Sequence, residues 1–409
     1  MGAVRPVLTA SEDVAWYRDE PSLPAAARGA AAALARRIGL GDQRAAEVAL
    51  AVSEAATNLC RHAVDGSLLL RVVRTPSEAG LEFVTVDAGP GMADVPHALT
   101  DGTSSAGTLG IGLGAISRLA DSFDLHSLPG RGTVLAARFW ARPAGPRARA
   151  EQGPPVAGLT RPISGEQICG DAWAARPAAG GVAGEAAEPV AAHRATAAPA
   201  LSWAALTGLT GPSGPTGRSP GPDRPGLRPA PTARPTGPAD PDALLVMLCD
   251  GLGHGPLAAR ASQDAVAAFH ESRAVRPETV LADVHRALRG GRGGAVAVAL
   301  IRPAARRLLF CGVGNVSTYL LDPAAGTRRA LVSAPGIVGH HLPPLHSVEL
   351  ELPAGSAVVM HSDGLTDRWR SDDLPGLLDH TPLVAAAQLL REAAVRRDDA
   401  GVLVAKGPW

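Results

Sequence analysis

Lysine is almost missing from this 409-residue chain: the only one is Lys406, near its end. A glycine-rich loop ending in Gly-Lys-Ser/Thr and the strand lysine of protein kinases both place an internal lysine on phosphate, so both are excluded. Asparagine occurs only as Asn58 and Asn315, which marks both as places where Asp, Ser or Gln will not do. Aromatics make up 3% of the chain, too few for base-stacking platforms along a single strand. Neither charge is in excess, since Lys plus Arg and Asp plus Glu are 39 each. That balance argues against a nucleic-acid partner, because such binding comes mostly from neutralising phosphates. No apolar run approaches the roughly 18 residues of a membrane span; Ala243–Cys249, among the longest, is strand-sized. Met1–Glu20 has neither an apolar core nor a cleavage-like site, so no signal peptide is expected. The four cysteines (Cys60, Cys169, Cys249, Cys311) lie far apart and form no CxxC. They point to a reducing cytosol rather than to disulfides or structural zinc. The expectation is a cytoplasmic protein with no membrane anchor.

What is present fits an α/β (α+β) chain of several domains. At about 150 residues per domain, 409 residues suggest two or three. Residues 1–142 alternate helical and strand patterns, 143–156 read as a Pro- and Gly-rich linker, and strand patterns resume at 157. Residues 211–241 hold 10 prolines in 31 positions. Such a segment buries too little apolar surface to offset its ordering entropy. Residues 175–241 are therefore expected to be a disordered insertion, apart from a short helical turn near Leu201–Leu206. The insertion lies within a second domain, 157–409.

In the first domain, Val48, Val52, Ala55 and Leu59 form one apolar stripe and predict a helix over 43–63. Glu54 and Asn58 lie four apart, on one flank of it. Strands follow at Leu68–Arg74 and Leu81–Asp87, the second running into Asp87-Ala-Gly89-Pro-Gly91. Then come Gly107-Thr-Leu-Gly110-Ile-Gly112-Leu-Gly114, a helix over Leu113–Ala120, and a hairpin of Phe123–Leu128 and Thr133–Trp140. A carboxylate at a strand end can accept a hydrogen bond from an exocyclic amine such as adenine N6, and glycines beside it let backbone approach the ring. A glycine-rich loop opening a helix is an anion site. The Asn58 amide oxygen can hold a Mg²⁺ that bridges phosphates. Glu54 is placed to take a proton from an attacking water or hydroxyl.

Together these pieces resemble the GHKL ATP-binding fold, an α/β sandwich shared by histidine kinases, Hsp90 and the anti-sigma-factor serine kinases. Val52-Ser-Glu54-Ala-Ala-Thr-Asn58 looks like the family's N box, Asp87–Gly91 its adenine box, and Gly110–Gly114 its phosphate loop. Asp101-Gly-Thr-Ser-Ser and Arg118-Leu-Ala-Asp121-Ser-Phe123 are closest to RsbT-like switch kinases. The resemblance implies ATP with Mg²⁺ as ligand, Glu54 as the catalytic base, and Thr133 supporting adenine through a water. A lone GxGxG would be a weak signal. The three boxes in order carry the reading, and they leave kinase and ATP sensor both open.

In the second domain, carboxylates recur at strand ends: Asp171 after the run Ile163–Cys169, Asp250-Gly-Leu-Gly-His-Gly255 after Leu244–Cys249, Ser362-Asp363-Gly364 after Ala357–Met360, and Asp398-Asp399 before Val402–Ala405. Clustered carboxylates are costly unless they meet cations. They suit a pair of hard divalent ions, which clamp the attacking and leaving oxygens of a displacement at phosphorus. The set resembles the metal-dependent PPM serine/threonine phosphatases, in their SpoIIE-like and RsbX-like branch, with an αββα sandwich. By that resemblance Asp250 and the Gly251 carbonyl bridge two Mn²⁺ or Mg²⁺ ions, and Asp171, Asp363 and Asp398 complete the ligands. Asp398 and Asp399 are adjacent, and Asp398 is favoured by its distance to the last strand. Gly401 stands where the family often has Thr. Gly312-Val-Gly-Asn315 matches a family turn, which gives Asn315 a structural reading. His254 is a candidate phosphate contact or an ordinary loop histidine.

The reading is a bacterial regulator that joins an RsbT-like ATP-binding module to a SpoIIE-like phosphatase. Its partner would be a phosphorylated regulatory protein, by resemblance a STAS-type anti-sigma antagonist. The rival is a non-catalytic ATP-sensing switch that binds a sigma-factor regulator.

Overall fold

The strand Leu68–Leu70 is apolar at every position, and so is much of its partner around Val84. Strands of that kind are buried on both faces. In the computed structural model, which describes residues 10–18, 20–75, 78–100, 112–141, 155–164, 166–178, 240–395, 397–407 and 409, both faces are indeed covered. The first sheet has the order β1-β2-β3-β5-β4, from β1 (Ala10–Arg18), β2 (Ser67–Arg74), β3 (Ala79–Val86), β4 (Ser122–Ser127) and β5 (Thr133–Trp140). All its pairings are antiparallel. One face meets α1 (Leu23–Arg37), α2 (Asp42–His62) and α4 (Gly112–Leu119), while the short α3 (Val95–Ala98) lies between β3 and α4 in the chain. There Val48, Val52, Ala55 and Leu59 of α2 pack with Leu68, Leu70, Leu81 and Phe83. Asp121 braces this layer, accepting from Trp140 N at 2.8 Å and pairing with Arg44.

The second domain pairs two further antiparallel sheets, of orders β13-β10-β9-β8-β7 and β12-β11-β14-β15-β6. Their strands are β6 (Val156–Arg161), β7 (Asp171–Pro177), β8 (Leu244–Gly251), β9 (Gly294–Arg302), β10 (Arg307–Val313), β11 (Ser317–Asp322), β12 (Thr327–Leu331), β13 (Val348–Glu351), β14 (Ala357–His361) and β15 (Ala400–Lys406). Leu248, Ala297 and Phe310 of one sheet meet Val358, Met360 and Leu403 of the other. The outer face of the first of these sheets is covered by α5 (Pro256–Glu271) and α6 (Pro277–Leu288), through Phe269, Leu281 and Val284. The outer face of the second is covered by α7 (Pro382–Ala393). This is the expected αββα sandwich.

The helix α7 is also what covers the open face of the first domain. Leu69, Val84, Val86, Val134 and Ala136 pack on one side of it, and Ala157, Leu159, Val402 and Val404 on the other. Every residue from Pro382 to Leu390 is buried, Gln388 among them, as befits a mostly apolar helix with partners on both sides. Polar groups stitch the same seam. Trp16 Nε1 donates to Thr160 O at 2.9 Å and Arg71 Nη1 to Gly158 O at 2.6 Å. Glu82 accepts from Arg71 Nε at 2.6 Å and Arg138 Nε at 2.7 Å. Burial alone would raise the Glu82 pKa, but Arg138 and Arg71 hold it below the usual carboxylate range. Glu82→Ala would leave two buried guanidinium groups without their counter-ion. It is expected to cost about 3–5 kcal/mol, read as a lower midpoint in urea unfolding.

Two boundaries differ from expectation. β7 continues through Pro177, paired with Leu244, and Ala178 N donates to Ala243 O at 2.8 Å. Residues 175–178 are therefore ordered, because Ala175 faces the sandwich core. The rest of the expected insertion up to 239, with Leu201–Leu206, lies outside the described residues, as do 142–154 of the linker. Residues 163–164 and 166–169 are irregular instead of a strand, and Asp171 opens β7. Backbone N–H groups in that loop, Ile163 N and Gly170 N, are taken by Asp399 at 2.7 and 2.8 Å.

Candidate nucleotide site and candidate metal centre

The β3 strand delivers Asp87 to a loop that only glycines can complete. Gly91 has φ +66, and a Cβ there would overlap Leu128 O. Gly132 has φ +73, and a Cβ there would overlap Asp87 O. Asp87 Oδ1 accepts from Gly89 N at 2.7 Å, which holds the carboxylate at a fixed angle. Asp87 N donates to Thr133 O at 3.0 Å. Thr133 Oγ1 lies 2.9 Å from Ser127 Oγ, which also accepts from Met92 N at 2.8 Å. The structure thus brings together Asp87, Gly89, Gly91 and Thr133. It adds Ser127, which the sequence reading passed over and which is the register partner of Thr133 across the hairpin.

Glu54 and Asn58 are both half-buried on the same flank of α2. The end of that helix is tied to the loop by Ala88 N donating to Val64 O at 2.8 Å. Gly112 opens α4 with φ +67, and Gly114 is buried in it. Gly110 and Asp101–Ser105 lie outside the described residues.

In the second domain Asp171 and Asp250 are register partners on adjacent strands. Asp171 is buried at the floor, Asp250 is half-buried, and Asp363 and Asp398 stand at the exposed rim. Gly251 N donates to Gly170 O at 3.1 Å, fixing the turn that carries Asp250. Burial, then Asp363, Asp398 and Asp399, push the Asp250 pKa up to about 7. Asp171 is raised by burial and then by Asp250, against the hydrogen bond from Ser362 Oγ at 2.6 Å. Asp363 is raised by burial and then by Asp398. The charges acting most strongly on all three are other carboxylates, with no basic side chain among them. An all-oxygen set of this charge suits hard divalent ions that keep part of their water. Among the described residues no three His, Cys, Asp or Glu side chains are already gathered around one point.

The adjacent pair separates cleanly. Both oxygens of Asp399 accept backbone N–H groups, from Ile163 and Gly170, and its side chain is buried. Asp398 is exposed and faces Asp250 and Asp363 electrostatically. His254 is exposed, its Nδ1 lying 3.6 Å from Glu166 Oε1. Asn315 does more than shape a turn: its Nδ2 donates to Asp363 Oδ2 at 2.6 Å. An Asp there would repel Asp363, which accounts for this rare residue type. Partners that orient ligands typically matter about 10–100-fold. If Asp363 holds a metal ion, Asn315→Leu is expected to weaken Mn²⁺ activation by that factor, read as the Mn²⁺ concentration giving half-maximal turnover.

Comparisons with known proteins follow the same division. Residues 17–139 match the family model of the histidine kinase-like ATPase domain, and residues 240–406 that of stage II sporulation protein E (SpoIIE). The serine/threonine-protein kinase RsbT of Bacillus subtilis (strain 168) is 36% identical over 117 residues, 29% of this chain and 88% of that one. Similar solved structures include RsbX in complex with magnesium, at 17% identity and TM-score 0.40, covering 62% of this chain and 94% of that one. Another is the SiaA-PP2C domain of Pseudomonas aeruginosa, at 17% identity and TM-score 0.39, covering 64% and 89%. No helix among the described residues is long and apolar enough to cross a membrane. The chain belongs to the RsbT family through its first domain, and its residues 240–406 carry a SpoIIE-type domain.

Proposed function

We propose that the second domain hydrolyses phosphoserine or phosphothreonine on a small regulatory protein, using two Mn²⁺ or Mg²⁺ ions, while the first binds ATP with Mg²⁺. The observation that carries the metal reading is the carboxylate basin of Asp171, Asp250 and Asp363, where burial and like charge raise every pKa. Asp171, Asp250, the Gly251 carbonyl, Asp363 and Asp398 would hold the ions. When bound, these supply the positive charge that displacement at phosphorus needs. Ser362 orients Asp171, Asn315 orients Asp363, and Asp399 fixes the floor loop through Ile163 and Gly170.

In the first domain Asp87 would take the adenine amine, with Gly89, Gly91 and Thr133 around the ring. Gly110, Gly112 and Gly114 would take the phosphates, and Asn58 their Mg²⁺. Glu54 would accept the proton of an attacking hydroxyl. RsbT is a serine/threonine-protein kinase, which supports a phosphorylated partner in a sigma-factor pathway. A STAS-type antagonist, acting in a cytoplasmic circuit, is the partner this reading names. The test is release of phosphate from such a phosphoprotein. Turnover that depends on Mn²⁺ or Mg²⁺ is expected, and turnover unchanged in EDTA would sink the two-metal reading.

A further inference from the structure

We propose that α7 transmits occupancy of the nucleotide site to the metal centre, with Asp124 and Arg391 as the ties that hold its two ends to the first domain. The inference rests on the reading of the two sites given above and adds their coupling. Both ends of α7 are held by the first domain. At its start, Asp124 of β4 accepts from Thr381 N at 2.7 Å and Thr381 Oγ1 at 2.6 Å, and pairs with His380 Nδ1 at 2.8 Å. A helix N-terminus is normally capped by its own flanking residue; here the capping carboxylate comes from the other domain. At its end, Arg391 Nη1 reaches 3.5 Å from Asp87 O, the carbonyl of the residue assigned to adenine.

The metal loops hang from the same end of α7. Thr366 N donates to Ala393 O at 2.9 Å, and Val395 N donates to Gly364 O at 2.7 Å. Gly364 directly follows Asp363, and a Cβ on it would overlap Asp399 O. The loops of Asp363 and Asp398 are thus packed on each other, and Asp398 follows α7 in the chain by only a few residues. The core on both flanks of α7 is close-packed, so the helix moves as a body or not at all. Adenine on Asp87 orders the loop that Arg391 touches. That steadies the end of α7 from which two of the four carboxylates are hung. Nucleotide should therefore favour the arrangement that binds metal. A ligand shifts such an equilibrium only by its differential contacts, and Arg391 to Asp87 O is the contact that would differ.

The experiment follows hydrolysis of p-nitrophenyl phosphate by the full chain against free Mn²⁺, with and without a saturating non-hydrolysable ATP analogue. The half-activating Mn²⁺ concentration is expected to fall at least about fivefold with nucleotide, the low end of measured couplings. Arg391→Ala should keep both the Mn²⁺-dependent rate and the nucleotide-induced thermal shift while losing that fall. Asp124→Ala, which cuts the tie at the other end, should lose it too. By reciprocity Mn²⁺ should tighten nucleotide binding by the same factor. Asp250→Asn serves as the control that separates this effect from the metal carried by the nucleotide. An unchanged Mn²⁺ midpoint in a wild type that both binds nucleotide and turns over would overturn the coupling alone. Retention of the full response by both variants would do the same. A wild type that binds no nucleotide, or shows no metal-dependent turnover, would remove the functional reading and the coupling with it.

Discussion

Replacing Asp250 with Asn is expected to abolish metal-dependent phosphatase turnover without unfolding the protein. Asp250 sits between Asp171, its register partner, and the rim carboxylates Asp363 and Asp398. In the proposed site it would help to hold both ions. The amide keeps the shape and removes the charge. If the lost transition-state stabilisation is about 4 kcal/mol, the rate falls about a thousandfold. The same substitution should have the opposite effect on metal-free stability. Asp250 now pays to be charged, since burial and three neighbouring carboxylates all push its pKa up. A neutral amide relieves that repulsion, so the metal-free variant should melt no lower than metal-free wild type. Mn²⁺ should then stabilise wild type and leave the variant unmoved. An active variant would remove the two-metal assignment. An inactive variant that melts well below wild type would instead make Asp250 a structural residue.

Much of this was legible in the sequence wherever one segment carried its own pattern. The apolar stripe of α2 and the run Thr133–Trp140 predicted elements that the structure shows at nearly the same bounds. The order of glycine and carboxylate motifs pointed to two families. What stayed hidden were relations between distant segments. Asp399 and Asp398 look alike until Ile163 and Gly170 are seen to occupy both oxygens of the first. Asn315 reads as a turn residue until Asp363, 48 positions on, is found beside it. Gly364 and Gly401 each pack closely against the metal loops, Gly364 on Asp399 O and Gly401 on the Asp171 side chain. A larger residue such as Thr has no room at 401 without moving Asp171, which gives a local reason for the glycine there. The seam was the least legible feature. Pro382–Ala393 is an apolar stretch like many core helices. Nothing in its periodicity says that its second partner is a sheet more than 240 residues earlier in the chain.

ATP with Mg²⁺ is expected to raise the melting temperature of the wild-type chain, and Asp87→Ala to remove that rise. At a nucleotide concentration of 100 times Kd, linkage supplies about 2.7 kcal/mol, a shift of several degrees in a cooperative unit of this size. A hydrogen bond to a charged acceptor is worth about 1.5–3 kcal/mol, so its loss weakens binding about 10–100-fold. Asp87→Ala also frees Gly89 N, which Asp87 Oδ1 now holds, and so loosens the loop the base would enter. Asp87→Asn separates the two effects, because an amide can still brace Gly89 N. Its NH₂ can also face the carbonyl oxygen of guanine, which a carboxylate repels, so this variant should narrow the preference for ATP over GTP. No shift with ATP, ADP or an analogue in wild type would end the nucleotide reading. The form of the melt is informative as well. Trp16 and Arg71 donate to Thr160 O and Gly158 O of the second domain, and isolating either domain would uncover Leu69, Val84 and Val134 or the outer face of α7. Two domains that share so much buried surface should unfold in one transition, and nucleotide should move all of it. Two transitions, with only the lower moved by ATP, would mean that the seam does not bind the domains into one cooperative unit.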